Sequence, residues 1–345
     1  MAGKGFSFGS KYMGLVAPSD TEPPTEGVAA EAAARSSAAP STPAAAAQRK
    51  ESDSSGAQTP ASQLLLLPPP VIPSQCSDPE LSQHVARLFK RDVRTRAKAL
   101  QALRDSCSAD AGLFAPAFSS FTALYARLAL DDDRSVRVEA ARTLKALLLA
   151  AQRAAGGALK QVLPPWWLAC HDADAREVRA AHLEALEAVL PGSKTTQALV
   201  LFRTQILSFL TAVLHCAPSQ LSLSRHDQPN ELCERHSRAL SSACAALDGL
   251  LTRLVDDRSS ADPEALAAVR ACVSETLARP GAAEALLKHS SAPVRLSLAS
   301  LLSSATQRGC FRGSDFEALP RLVRDLALRL DDRDAAARLA VWGAL

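Results

Sequence analysis

Apolar residues recur along the chain with a helical period, and the pattern breaks at regular places. Leu81, Val85, Leu88 and Phe89 fall on one face of a first helix. Ser77-Asp78-Pro79-Glu80 just ahead of it offers an N-cap, a proline for the first turn and a glutamate placed for a capping box. Val136, Ala140, Leu144, Leu147 and Leu148 make a second stripe, opening after Asp131-Asp132-Asp133, where Asp133 can cap the helix. The same phrase, an Asp-rich turn followed by Val-Arg and a helix, returns at Asp172, Asp174 and Val178-Arg179. It returns again at Val294-Arg295 and at Asp331, Asp332 and Ala337-Arg338, with an earlier cousin at Asp92, Val93 and Arg94. Val93 to Val136 is 43 residues, Val136 to Val178 is 42, and Val294 to Ala337 is 43. A two-helix unit at this interval predicts an all-α solenoid of the HEAT/armadillo-like helical-repeat type, because each unit buries its stripe only by stacking on its neighbours.

The stretch from Val178 to Val294 is less regular and fits three short units or two with an insertion. Helices are expected there over Thr195 to His215, about Glu231 to Leu254 and about Asp262 to Leu277, with a loop from Pro218 to Asn230. Leu339, Val341, Trp342 and Leu345, in the last helix, are expected to lack a packed neighbour, as in the front portion of a longer protein. From Ala17 to Ser62 the chain has no Leu, Ile, Met or aromatic residue, and a segment that poor in apolar surface is expected to be disordered. The organisation predicted is a disordered Ala/Ser/Pro-rich tail over 1–75, regular repeats over 76–200, irregular ones over 201–290 and a final repeat region over 291–345.

Composition agrees with helices: 47% of residues are hydrophobic but only 4% aromatic, so Leu, Ala and Val carry the burial. No two of the eight cysteines lie within ten residues of each other, which leaves no CxxC zinc pair and no disulfide framework. That usage reads as cytosolic or nuclear. Met1 to Asp20 lacks the apolar core of a signal peptide, and the run Ala198 to Cys216, broken by Arg203, is too short to span a bilayer.

Candidate chemistry is sparse. The Asp131–Asp133 cluster invites a metal or acid–base reading, but its echo at Asp331-Asp332 argues for capping and for Asp–Arg ladders between repeats. Cys233, His236 and Cys244 resemble ligands, yet Cys233, Leu240, Cys244, Leu247 and Leu251 trace one packed helical stripe, and a four-ligand set is missing. No dinucleotide, P-loop, nucleophile-elbow or HExxH motif occurs. No catalytic residue, metal, cofactor or small-molecule substrate is therefore predicted. Charge is more informative. Arg87, Lys90, Arg91, Arg94, Arg96, Lys98 and Arg104 stand against one acid, Asp92, giving +6 between Leu81 and Arg104 while the rest of the chain sums to –3. A solvated helix surface would look similar; the alternative is a docking patch for a polyanion such as RNA, with Arg87, Lys90, Arg91, Arg94, Arg96 and Lys98 as the binding residues. No aromatic platform accompanies it, so contacts would be to phosphates and blind to sequence.

Leu88-Phe89-Lys90-Arg91-Asp92-Val93-Arg94, the run Leu130 to Ala140, Cys170-His171-Asp172 and Pro191-Gly192-Ser193-Lys194 together resemble the N-terminal region of the listerin family, with Gly5-Phe6-Ser7-Phe8-Gly9 similar to the family's short tail element. The resemblance implies a long solenoid whose N-terminal end docks on the large ribosomal subunit beside a nascent-chain quality-control factor. A distant RING domain of such proteins ubiquitinates the stalled chain in the cytosol. This sequence has no RING cysteines, so the resemblance covers the docking end. The competing reading is a HEAT-repeat scaffold for transport or signalling, which gives no reason for the +6 hairpin.

Overall fold

The computed structural model describes residue 67 and residues 78–109, 114–151, 155–224, 226–256, 262–311 and 319–345. Two units divide the chain, Met1–Gln63 and Leu64–Leu345, and every described residue belongs to the second. The disorder expected of the tail falls outside the described residues, except for Leu67, which is buried.

Fourteen α-helices and no strand occur among the described residues. They are α1 Pro79–Arg87, α2 Val93–Ala109, α3 Phe114–Ala129, α4 Arg134–Ala151, α5 Ala155–Ala169, α6 Arg176–Val189, α7 Ser193–Leu201, α8 Arg203–His215, α9 Pro229–Asp256, α10 Pro263–Ala278, α11 Ala282–Leu287, α12 Ala292–Gln307, α13 Leu319–Ala327 and α14 Ala335–Ala344. The α1 cap is Asp78, whose Oδ1 accepts from Leu81 N at 2.7 Å. Capping from Asp78 rather than Ser77 leaves Glu80 in the first turn beside His84, so the expected capping box does not form.

Paired helices stack in order. α2, α4 and α6 form one ridge, with α1, α3 and α5 behind it, and α9, α12 and α14 form a second ridge. Val136, Ala140, Leu144 and Leu148 are fully buried between the ridge neighbours, as their spacing predicts. Between the two ridges, α8 packs on α5 and α9, and the corner of α10 and α11 pivots on Gly281, whose φ of 78° suits glycine. The irregular middle is therefore two units, α8/α9 and α10–α11/α12, with α7 and the 216–228 loop inserted.

Two expectations are corrected here. The helix predicted over Thr195 to His215 is broken at Phe202, where α7 and α8 bend by 73°. Phe202 sits at φ –102°, ψ 18°, in the bridge between helix and strand conformations, and no proline or glycine marks it. No single helix among the described residues is long and apolar enough to cross a membrane; the bent pair passes by length and composition, and its stripe Ile206, Leu210 and Val213 is buried in the fold. In α14, Leu339, Trp342 and Leu345 are exposed as expected, but Val341 is fully buried where α14 meets α12.

Candidate docking interface

The turns between paired helices are built by one repeated device. In the α3–α4 turn, Asp131 Oδ1 accepts from Asp133 N at 2.9 Å, and Asp133 Oδ1 accepts from Ser135 N at 2.8 Å, starting α4. Asp172 Oδ1 accepts from Asp174 N (3.0 Å) and Asp332 Oδ1 from Asp334 N (2.9 Å) in the same way, while His289 Nδ1 replaces the carboxylate by accepting from Ser291 N. An arginine one turn into each following helix folds back on the turn carbonyls. Arg96 donates to Lys90 O (2.9 Å) and Arg91 O (2.7 Å), Arg137 to Asp131 O and Asp132 O, and Arg295 to His289 O and Ser290 O. The same guanidinium then reaches the next turn: Arg96 to Asp131 at 2.8 Å, Arg137 to Asp172 and Asp174 at 3.1 Å each, Arg295 to Asp332 at 2.7 Å. Each rung ties a turn to its own helix and to its neighbour.

This ladder sets the register of the first unit. Arg96 and Arg137 are equivalent and lie 41 residues apart, so Thr95, not Val93, corresponds to Val136. It also changes the basic patch. Arg96 is mostly buried and engaged with two carbonyls and Asp131, so it is withdrawn from the surface where the sequence pattern put it. Burial drives the Asp131 pKa up and the Arg96 charge offsets that only in part. Arg104 is paired with Glu139 at 3.1 Å. Lys90, Arg91, Arg94 and Lys98 are exposed and Arg87 half-buried, and none of the five forms an ion pair among the described residues. Asp92 caps α2 by accepting from Thr95 Oγ1 (2.6 Å) and Thr95 N (2.7 Å), and those bonds hold its carboxyl below the usual range. The lone acid of the hairpin is thus occupied by its own helix.

Beside the basic turn lies a cavity of about 480 Å³, walled by the α1–α2 turn, the α3–α4 turn and the loop before α9. A clip that sequence reasoning missed forms its far wall. Arg235, with a side chain only 1% exposed, donates to Asp132 (2.9 Å), Asp227 (2.7 Å) and Leu221 O (2.8 Å). Burial opposes its charge, but the two carboxylates outweigh that and raise the guanidinium pKa. Arg238 donates to Leu130 O and Asp131 O at 3.0 Å, and Arg127 reaches back to Leu223 O. Farther along α9, Trp167 Nε1 donates to Ala246 O (2.9 Å) and Ala173 N to Ser242 Oγ (3.0 Å). The long helix α9 therefore lies across the second and third units.

The stripe read through Cys233 is corrected by this clip: Cys233 is exposed, and Arg235 takes the inward position ahead of Leu240, Cys244, Leu247 and Leu251. His236 Nε2 is 2.9 Å from Cys216 O, and no group of three His, Cys, Asp or Glu side chains is placed to hold a metal ion among the described residues.

Paired helices stacked through an arginine–aspartate ladder define a helical-repeat solenoid of the HEAT/armadillo-like type, with an open basic turn at its first unit. Residues 76–345 match the family described as E3 ubiquitin-protein ligase listerin, N-terminal domain, and the chain belongs to that family. Listerin of Gallus gallus is 27% identical over 271 residues, 78% of this chain and 15% of the relative. Listerin of Xenopus tropicalis is 26% identical over 223 residues, 64% of this chain and 12% of the relative. Listerin of Neurospora crassa is 25% identical over 173 residues, 50% and 11%. The chain thus spans 15% or less of the length of these relatives. Among solved structures, a designed armadillo repeat protein covers 76% of this chain at 16% identity with a TM-score of 0.30.

Proposed function

We propose that this chain is the ribosome-docking end of a listerin-type ubiquitin ligase, acting in the cytosol on nascent chains held by stalled large ribosomal subunits. The observation that carries the reading is the set Lys90, Arg91, Arg94 and Lys98: four exposed cations on one turn and the start of one helix, without ion pairs among the described residues. The carbonyls and the acid that would compete for them are taken by Arg96 and by the α2 cap. Such a patch suits rRNA phosphate, and contacts made to phosphate are indifferent to base sequence. The ligase activity belongs to the whole-length protein, and a nascent-chain quality-control factor is the expected neighbour on the subunit.

Reversing Lys90, Arg91, Arg94 and Lys98 to Glu should abolish co-sedimentation with purified large subunits and lower the melting temperature by no more than about 4 °C, since exposed substitutions rarely cost more than about 0.5 kcal/mol each and a unit of this size loses about 2 °C per kcal/mol. In the unaltered chain, affinity should fall with salt by a log–log slope of about 0.7 to 0.9 per phosphate contacted. Sedimentation of the quadruple variant at physiological salt would refute the assignment.

A further inference from the structure

The cavity beside the basic turn carries a serine among its lining residues. Residues 222–224 and Asp227 are tied to one another: Ser222 Oγ donates to Ser224 O (3.0 Å) and to Asp227 (3.2 Å), and Asp227 accepts from Leu223 N (2.7 Å). Ser224 is exposed, and its Oγ accepts from His226 N at 3.2 Å. It lines the same 480 Å³ cavity as Lys90 and Arg91.

The other charged groups lining this cavity each have a bonding partner, although Asp133 and Glu231 are bonded to neutral donors and keep their charge. Asp131 is bound by Arg96, Asp132 and Asp227 by Arg235, Asp133 starts α4 through Ser135, and Glu231 accepts from Gln228 N. Arg127 donates to Leu223 O. Lys90 and Arg91 have no such commitment among the described residues, and His226 is an exposed neighbour on the rim. Ser222 differs from Ser224: its hydroxyl already serves Asp227, and a phosphate there would meet that carboxylate.

We infer that Ser224 is a phosphorylation site, and that a phosphate on its Oγ is held across the cavity by Lys90 and Arg91, withdrawing both cations from polyanion binding. In the modifying step the Ser224 hydroxyl oxygen attacks the γ-phosphorus of a nucleoside triphosphate. The bond to the diphosphate breaks, and the hydroxyl proton passes to the base of a protein kinase. The added group carries about –2 charge at neutral pH and three acceptor oxygens, which match one ammonium and one guanidinium. The seat itself rests on the cavity; its effect on polyanions rests on the docking reading above.

The test introduces phosphoserine at position 224 during synthesis of the full chain and follows its phosphorus NMR shift against pH. Held by Lys90 and Arg91, the phosphate should show a second pKa about one unit below the usual value of about 6, and Lys90→Ala with Arg91→Ala should return it toward that value. A second pKa at or above about 6 in the unaltered background overturns the seat, because it means that the Asp227 and Glu231 charges dominate. With the seat in place, the phosphorylated chain should bind purified large subunits at least about tenfold more weakly. A lowered pKa with unchanged subunit binding overturns the withdrawal of the cations; if Lys90→Glu with Arg91→Glu also binds normally, the docking reading fails with it and the phosphate seat stands.

Discussion

Replacing Arg235 by Met removes one buried guanidinium and tests whether the clip holds α9 against the second unit. The three acceptors it serves are not equally exposed. Asp132 is 39% exposed and has Arg238 at 3.6 Å, so it regains water and a second partner. Asp227 keeps its bonds from Leu223 N and Ser222 Oγ, whereas Leu221, fully buried, is left with a carbonyl that has lost its arginine donor. Breaking a buried pair by deleting one partner costs about 3 to 5 kcal/mol, and the partial compensation at Asp132 and Asp227 places this case near about 3 kcal/mol. At about 2 °C per kcal/mol for a unit of this size, the melting temperature should fall by about 6 °C. Repeat proteins open locally, so amide hydrogen exchange is the sharper assay. Peptides spanning residues 221–235 should exchange about 100-fold faster, while α12, whose Pro293 and Ser297 bond Ser241 of α9 beyond the clip, stays protected. Arg134→Met, at an exposed pair with Glu177, serves as control and should move stability by less than about 1 kcal/mol. Unchanged exchange in 221–235 would show that Arg235 does not fasten the loop.

Val136→Asp should destabilise the fold by several kcal/mol, because Val136 is fully buried, whereas Arg142→Ala, 62% exposed, should be nearly silent; equal urea midpoints would refute the α4 register. Gly249→Ala should cost about 1 to 3 kcal/mol, since its new Cβ would lie 2.2 Å from His171 Nε2, whose ring is pinned by Trp167. His171→Ala in that background should recover part of the loss, and strict additivity of the two changes would exclude the clash. Burial lowers the His182 pKa from 6.5 to about 4, so the unfolded chain takes up a proton that the folded chain refuses in that interval. Stability should therefore fall by about 3 kcal/mol as pH drops from 6.5 to 4 and then level off; an unaltered urea-midpoint slope in His182→Leu would count against it.

The helices, their buried stripes and the Asp-rich turns were legible from residue order alone, because each depends on spacings of three, four or about 42 residues that a chain carries locally. The Val136 stripe, the capping by Asp133 and the ladder between repeats all follow from such spacings. Register in the first unit did not, because Val93-Arg94 imitates the later phrase while Arg96 is the residue that meets Asp131. The exposure of Arg94 and Lys98 follows from helical phase and that of Lys90 and Arg91 from their place in a turn, but the burial of Arg96 needed the neighbouring turn in place. The clip of Arg235 and Arg238 onto residues about a hundred positions earlier had no periodic signal, and neither did the bend at Phe202. Residue order by itself determined what repeats here: amphipathic helices, their caps and an unbalanced basic hairpin. The tertiary structure alone decided which charges are free, because a guanidinium is neutralised by whatever carboxylates and carbonyls the packed chain brings within about 3 Å of it.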